Sequence, residues 1–147
     1  MNATFTHGDI LCVNRGLYKH YGIYAGNSIV IHYAAPDGDF GINASVHKTS
    51  LSKFEDGGVA HVVKLPETGK PAKQFSPEET VRRAQSRIGE KNYNLLFNNC
   101  EHFALWCKTG MNKSGQVEKA AGTVILVSAA IIITKLIASA GDNKEQP

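Results

Sequence analysis

The spacing of apolar positions changes along the chain. Ile10-Leu11-Cys12-Val13 is a short continuous apolar run after Gly8-Asp9, which predicts a first strand. Tyr21-Gly22-Ile23-Tyr24-Ala25 and Ser28-Ile29-Val30-Ile31-His32-Tyr33 are rich in β-branched and aromatic residues and flank Gly26-Asn27, the pattern of a hairpin. Turn-rich Ala35 to Asp39 and a loosely patterned stretch read as a loop from Pro36 to Gly58. A further strand follows over Val59–Lys64, then a connector from Pro66 to Pro71. Beyond it the period lengthens to that of helices. Ser76 can cap, Pro77 fits a first turn, and Glu79 completes a capping box. Val81, Ala84 and Ile88 then share a face until Gly89. A second helix is predicted from Asn98 or Asn99 to Gly110, because Cys100, Phe103, Ala104 and Cys107 fall at i, i+3, i+4 and i+7.

The last pattern is of another kind. Ala120 to Thr134 are 15 consecutive uncharged positions, broken by Lys135. A helix over Ala120–Gly141 would reach ~33 Å, against about 30 Å of bilayer hydrocarbon, and a lysine near its end could snorkel. A membrane-attached tail is therefore expected, with spanning and re-entry both open and a helix in the soluble core as the alternative. Met1 to Asp9 has no basic stretch followed by an apolar one, so no secretory signal is read and the cytosolic side of a membrane is the expected location. The division expected is a catalytic domain over 1–112 and a hydrophobic tail over 113–147.

Composition narrows the class. A chain of 147 residues, 42% apolar, can bury a single core, and its 14 Gly and 5 Pro exclude collagen-like and disordered readings. Three cysteines, Cys12, Cys100 and Cys107, are too few for a disulfide scaffold and suit a reducing compartment. Residues 61–119 carry ten Lys/Arg against six Asp/Glu. That mild excess suits an anionic lipid surface or simply a solvated face, and no nucleic-acid motif accompanies it.

Cys100 occupies the first turn of its predicted helix, where unpaired N–H groups and the positive dipole end favour an anion and ease thiolate formation. A cysteine on an apolar stripe is otherwise a small core residue, which is how Cys12 and Cys107 are read. A base for Cys100 must come from elsewhere. His20 opens the first hairpin strand and His32 nears the end of the second. A two-residue loop at Gly26-Asn27 would put them on opposite faces. An odd loop centred on Gly26 would set them directly opposite, with Cβ atoms ~5 Å apart. A thiol, a histidine to take its proton and a third polar group to orient that histidine are the minimum for cysteine nucleophilic catalysis. His7, His47, His61 and His102 have no patterned partner and default to surface or packing roles.

Asp9-Ile10-Leu11, the run Arg15-Gly16-Leu17-Tyr18-Lys19-His20-Tyr21-Gly22-Ile23-Tyr24, then Val30-Ile31-His32 and Asn99-Cys100-Glu101-His102-Phe103 resemble the lecithin:retinol acyltransferase family, within the NlpC/P60 superfamily of permuted papain-like thiol enzymes. The resemblance extends from about Gly8 to Gly110. Val81 to Phe97 is similar to the family's approach to its nucleophile, and the hydrophobic tail to that of its phospholipid-metabolising members. The resemblance implies an α+β fold of circularly permuted papain type, with an antiparallel sheet packed against the helix carrying Cys100. It implies Cys100 as nucleophile, His20 as general base, His32 as third polar residue and Tyr18 as oxyanion donor. The activity implied is transfer or hydrolysis of phospholipid or other lipid acyl esters through a thioester, with no cofactor or metal. Three other readings stand beside it: an NlpC/P60-type amidase, a silent membrane-associated binding module in which Cys100 would be buried and unreactive, and a metal site on Cys100, His20 and His32, which lacks the usual ligand spacing.

Overall fold

The computed structural model describes residues 4–65, 74–91 and 99–111. Five strands form one antiparallel sheet: β1 (Ile10–Asn14), β2 (Lys19–Gly26), β3 (Ile29–Ala34), β4 (Ser45–Ser50) and β5 (Ala60–Val63), in the spatial order β4-β3-β2-β1-β5. Alternating side chains divide between two cores, as the period of a strand requires. On one face Ile10, Cys12, Tyr21, Ile23, Ile31, Tyr33 and Val46 pack against helices α2 (Pro77–Ser86) and α3 (Asn99–Thr109). On the other, Leu11, Val13, Val30 and Ala60 close around Phe54 of the short helix α1 (Leu51–Glu55). This is an α+β arrangement with its sheet covered on both faces.

The two long helices begin and end much as their sequences predict. Ser76 Oγ accepts the Glu79 N–H at 3.2 Å, with Pro77 at the first position, but the Glu79 carboxylate turns to Arg82 rather than back to Ser76, so the capping box is half made. Val81 and Ala84 are buried. Ile88 is not, because the helix stops before it and leaves it 42% exposed. In α3, Cys100, Phe103, Ala104 and Cys107 are all buried, as the apolar stripe predicts. Arg83 locks the two helices together by lying 3.8 Å over the Trp106 ring while donating to the Trp106 carbonyl at 3.1 Å.

The expected loop from Pro36 to Gly58 instead holds β4 and α1. Both were hidden by polar faces: β4 reads Ser-Val-His-Lys-Thr-Ser, and α1 buries only Phe54. The hairpin also differs from expectation. Its turn is Asn27-Ser28, both at positive φ (51° and 59°), with Gly26 opposite Ile29 and an extra residue bulged between Tyr24 and Gly26.

The expected membrane attachment is corrected. No helix among the described residues is long and apolar enough to cross a membrane. The run from Ala120, on which that expectation rested, lies outside the described residues, and the cytosolic-side, membrane-associated location drawn from it is withdrawn. The domain boundary at 112/113, the connector from Pro66 to Pro71 and the Tyr93–Phe97 part of the approach to the nucleophile also lie outside them.

Gly22 has the tightest surroundings in the hairpin. A Cβ there would sit 2.6 Å from Val30 Cγ1, 3.0 Å from the Phe54 ring and 3.2 Å from His32 Cβ. Gly22→Ala is therefore expected to lower stability by ~1–3 kcal/mol through overpacking. Urea unfolding of the variant checks this; an unchanged midpoint would mean that Phe54 does not lie against β2.

Candidate active site

The hairpin register decides where the histidines meet. His32 pairs across from Gly22, so it stands diagonally from His20 on the same face, not directly opposite as an odd loop centred on Gly26 would have it. Because Gly22 has no side chain between them, the rings close the diagonal: His20 Nε2 and His32 Nδ1 are 2.8 Å apart. Phe54 covers both, with ring centroids 5.3 Å from His20 and 5.5 Å from His32. His20 is wholly buried and His32 nearly so. Burial lowers His20 to about 4, outweighing the pull of the Asp39 carboxylate. His32 falls to about 3, first by burial and then by its histidine neighbours. Both rings are thus neutral at pH 7.

Cys100 lies in the first turn of α3, 5% exposed, against the backbone of β2 at Tyr21, the residue after His20. The thiolate expected from the helix terminus is not what the site favours. Burial pushes the thiol up to about 12, against the lowering effect of backbone N–H groups at Tyr21 and Glu101. The resting group is a neutral thiol that needs a base. A candidate is close along the chain: His20 Nδ1 is buried and has no hydrogen-bond partner among the described residues. The thiol itself does not bond to it: Cys100 packs with Tyr21 on the α3 face, His20 packs with Phe54 on the opposite face, and the structure brings the thiol to the β2 backbone beside His20 but not into a thiol–imidazole hydrogen bond. In unliganded sites such bonds are commonly long and tighten with substrate.

Tyr18 has a partner already. Its hydroxyl donates to Asp39 Oδ2 at 2.7 Å, and Arg15 Nε donates to the same oxygen at 2.9 Å. Burial works against the Asp39 carboxylate, yet its pKa is lowered; with His20 neutral, the Arg15 and Tyr18 hydrogen bonds are what hold it ionised. Arg15 also donates to the Phe54 carbonyl at 2.7 Å and to the Glu55 carbonyl, satisfying the end of α1 and fixing Phe54 over the histidines. Asp39 Oδ1 lies 3.6 Å from His20 Nε2.

Sequence reasoning missed Asp39, Arg15, Phe54 and His47. Asp39 sat in a stretch read only as turn-forming, and Phe54 in an expected loop. His47, assigned a surface or packing role, is instead half-buried, with Nε2 3.2 Å from His32 Nε2 and Nδ1 3.0 Å from the Ser45 carbonyl. The one available signal was its even spacing within β4, which places it on the histidine face only once β4 is recognised. Among the described residues, no group of three or more His, Cys, Asp or Glu is arranged to hold a metal ion.

A family model described as lecithin retinol acyltransferase matches residues 3–113. The chain is 34% identical over 144 residues to the lecithin retinol acyltransferase of Rattus norvegicus, covering 82% of this chain and 62% of that protein. It is 32% identical over 147 residues to the phospholipase A and acyltransferase 1 of Rattus norvegicus, covering 90% of this chain and 87% of the relative. With the phospholipase A and acyltransferase 1 of Homo sapiens it shares 35% over 136 residues, covering 84% and 79%. The chain thus spans less than two thirds of the rat lecithin retinol acyltransferase and most of the phospholipase relatives.

Glu101, beside the cysteine, is 2% exposed, and its Oε2 has no partner among the described residues. Burial raises its pKa to about 8, more than Lys19 lowers it. Unfolded, it ionises near 4.5, so the folded chain keeps a proton that the unfolded chain releases. Its contribution to stability is full below pH 4.5 and is lost as pH rises through 8. The two histidines run the other way, contributing above pH 6.5 and losing that contribution as pH falls through their folded values of about 4 and 3. Glu101→Gln is therefore expected to stabilise the protein by ~1–3 kcal/mol at pH 8, the usual cost of a buried unsatisfied group, and to change little at pH 5. Thermal unfolding at both pH values checks this; equal shifts at pH 5 and 8 would show that Glu101 is ionised and paired.

Proposed function

The chain belongs to the lecithin retinol acyltransferase family, and on that premise we propose that it is a thiol acyltransferase or hydrolase acting on lipid acyl esters through a thioester on Cys100. The observation that carries this reading is the buried Nδ1 of a neutral His20, without a partner among the described residues, in a ring whose Nε2 is held by His32 at 2.8 Å and whose strand neighbour Tyr21 meets Cys100 at the start of α3. The relatives' names, which include phospholipase A and acyltransferase 1, support a phospholipid as acyl donor.

In the first step Sγ forms a bond to the ester carbonyl carbon while His20 Nδ1 takes the thiol proton. The tetrahedral intermediate then collapses, the ester C–O bond breaks, and the imidazolium returns that proton to the departing alcohol. In the second step water, or an alcohol or amine acceptor, gives its proton to His20 and attacks the thioester carbonyl carbon; the C–S bond then breaks, and the imidazolium returns that proton to Sγ, regenerating the Cys100 thiol. His32 orients the base. Backbone N–H groups at the start of α3 and the Tyr18 hydroxyl are the oxyanion donors in this scheme, Tyr18 after leaving Asp39. No cofactor enters either step. The fold is read as the circularly permuted papain type, with the histidine strands preceding the cysteine helix, and the catalytic unit as residues 1–112.

The burial of Cys100 and its raised thiol favour a second reading, a binding module in which the thiol is inert. Incubation with phosphatidylcholine vesicles followed by intact mass spectrometry separates the two. The parent chain is expected to gain one acyl mass and Cys100→Ala none, while His20→Ala slows acylation roughly 10²-fold or more. Lipid turnover that persists in Cys100→Ala would falsify the thioester route. No turnover, together with a Cys100 that resists iodoacetamide at pH 7.5, would establish the binding module.

A further inference from the structure

Three imidazoles stand in a row across β2, β3 and β4: His20 Nε2 to His32 Nδ1 at 2.8 Å, His32 Nε2 to His47 Nε2 at 3.2 Å, and His47 Nδ1 to the Ser45 carbonyl at 3.0 Å. His32 and His47 are direct cross-strand partners, and the two rings are 4.6 Å apart between centroids. The row ends at an atom with only one possible role. A carbonyl oxygen accepts and cannot donate, so His47 Nδ1 carries a proton.

That one constraint determines every other ring nitrogen. A neutral His47 protonated at Nδ1 has a lone pair at Nε2, so His32 donates from Nε2. A neutral His32 protonated at Nε2 has a lone pair at Nδ1, so His20 donates from Nε2. A neutral His20 protonated at Nε2 then has its lone pair at Nδ1, the buried nitrogen with no partner among the described residues. We propose that His47 is a positioning residue, which through His32 sets the tautomer of His20 and keeps its Nδ1 unprotonated and able to receive a proton. This deepens the reading of His20 as general base and rests on it for its catalytic meaning; the tautomer itself does not.

Two further observations agree. Asp39 Oδ1, 3.6 Å from His20 Nε2, is beyond hydrogen-bond range, but its negative charge favours a proton on that same nitrogen. Phe54 seals His20 and His32 on one side, which removes water as an alternative partner that would let each ring choose its tautomer independently. The opposite order would turn a lone pair of His47 toward the Ser45 carbonyl and protonate His20 at Nδ1, leaving nothing there to take the thiol proton.

The test is long-range 1H–15N correlation of the imidazoles in the uniformly labelled full chain at pH 8, for the parent, His47→Phe and His47→Gln. The parent is expected to show His20 protonated at Nε2 with an unprotonated Nδ1. In His47→Phe, His32 loses its acceptor, and a His20 species protonated at Nδ1 is expected to appear, with acylation of Cys100 slowed roughly 10- to 100-fold. The Gln amide oxygen can accept from His32, so His47→Gln is expected to restore both the parent tautomer and most of the rate. A folded His47→Phe in which His20 keeps the parent tautomer overturns the proposal. If that variant does not fold, a parent chain with His20 protonated at Nδ1 overturns it equally, and the parent tautomer with rescue in His47→Gln upholds it. A parent chain that has the expected tautomer but forms no thioester removes the proposed function and leaves the role of His47 in the tautomer standing.

Discussion

Two imidazoles buried against each other impose a strict electrostatic condition. Neither can carry a charge without losing solvation, and both cannot without facing each other's charge, so both stay neutral, and a neutral pair must have a donor nitrogen facing an acceptor nitrogen. Much of the surrounding architecture serves that condition. Gly22 leaves the gap through which the rings approach, Phe54 keeps water off them, and Arg15 holds the end of α1 so that Phe54 stays in place. The histidine pair thus sits in a buried environment in which protons have few places to go.

The same burial decides the state of the cysteine. A helix N-terminus stabilises an anion by ~0.3–1 kcal/mol at an exposed site and up to ~2 kcal/mol in a partly buried one. Raising a thiol from 9.0 to about 12 corresponds to about 4 kcal/mol against the thiolate. Desolvation therefore wins over the dipole, and the resting thiol is neutral.

How far the site could be read in the chain depended on how local each signal was. The α3 stripe and the Ser76 cap depend on neighbours a few residues away, and both were legible. The pairing of His20 with His32 depends on one surplus residue in a turn, so spacing offered two registers and neither was the observed one, although the shared face was among the options. Asp39 reaches Tyr18 and Arg15 across 21 and 24 residues, and nothing in a turn-rich stretch announces such a contact. His47 was invisible because β4 itself, an edge strand with polar residues on its outer positions, lacks the apolar run by which the other strands were found. The helix dipole was visible and misleading, since the burial that overrides it is a tertiary property.

The bulge beside Gly26 separates two tasks that a hairpin normally couples. Packing of His20, Gly22 and Val30 on one face and of Ile23 and Ile31 on the other sets the register, and the turn merely absorbs the residue left over. Removing Ala25 would return the hairpin to a regular two-residue turn with Tyr24 still opposite Val30 and His32 still opposite Gly22. The hairpin tip is thus a place where one residue can be removed without changing the register that brings His20 and His32 together.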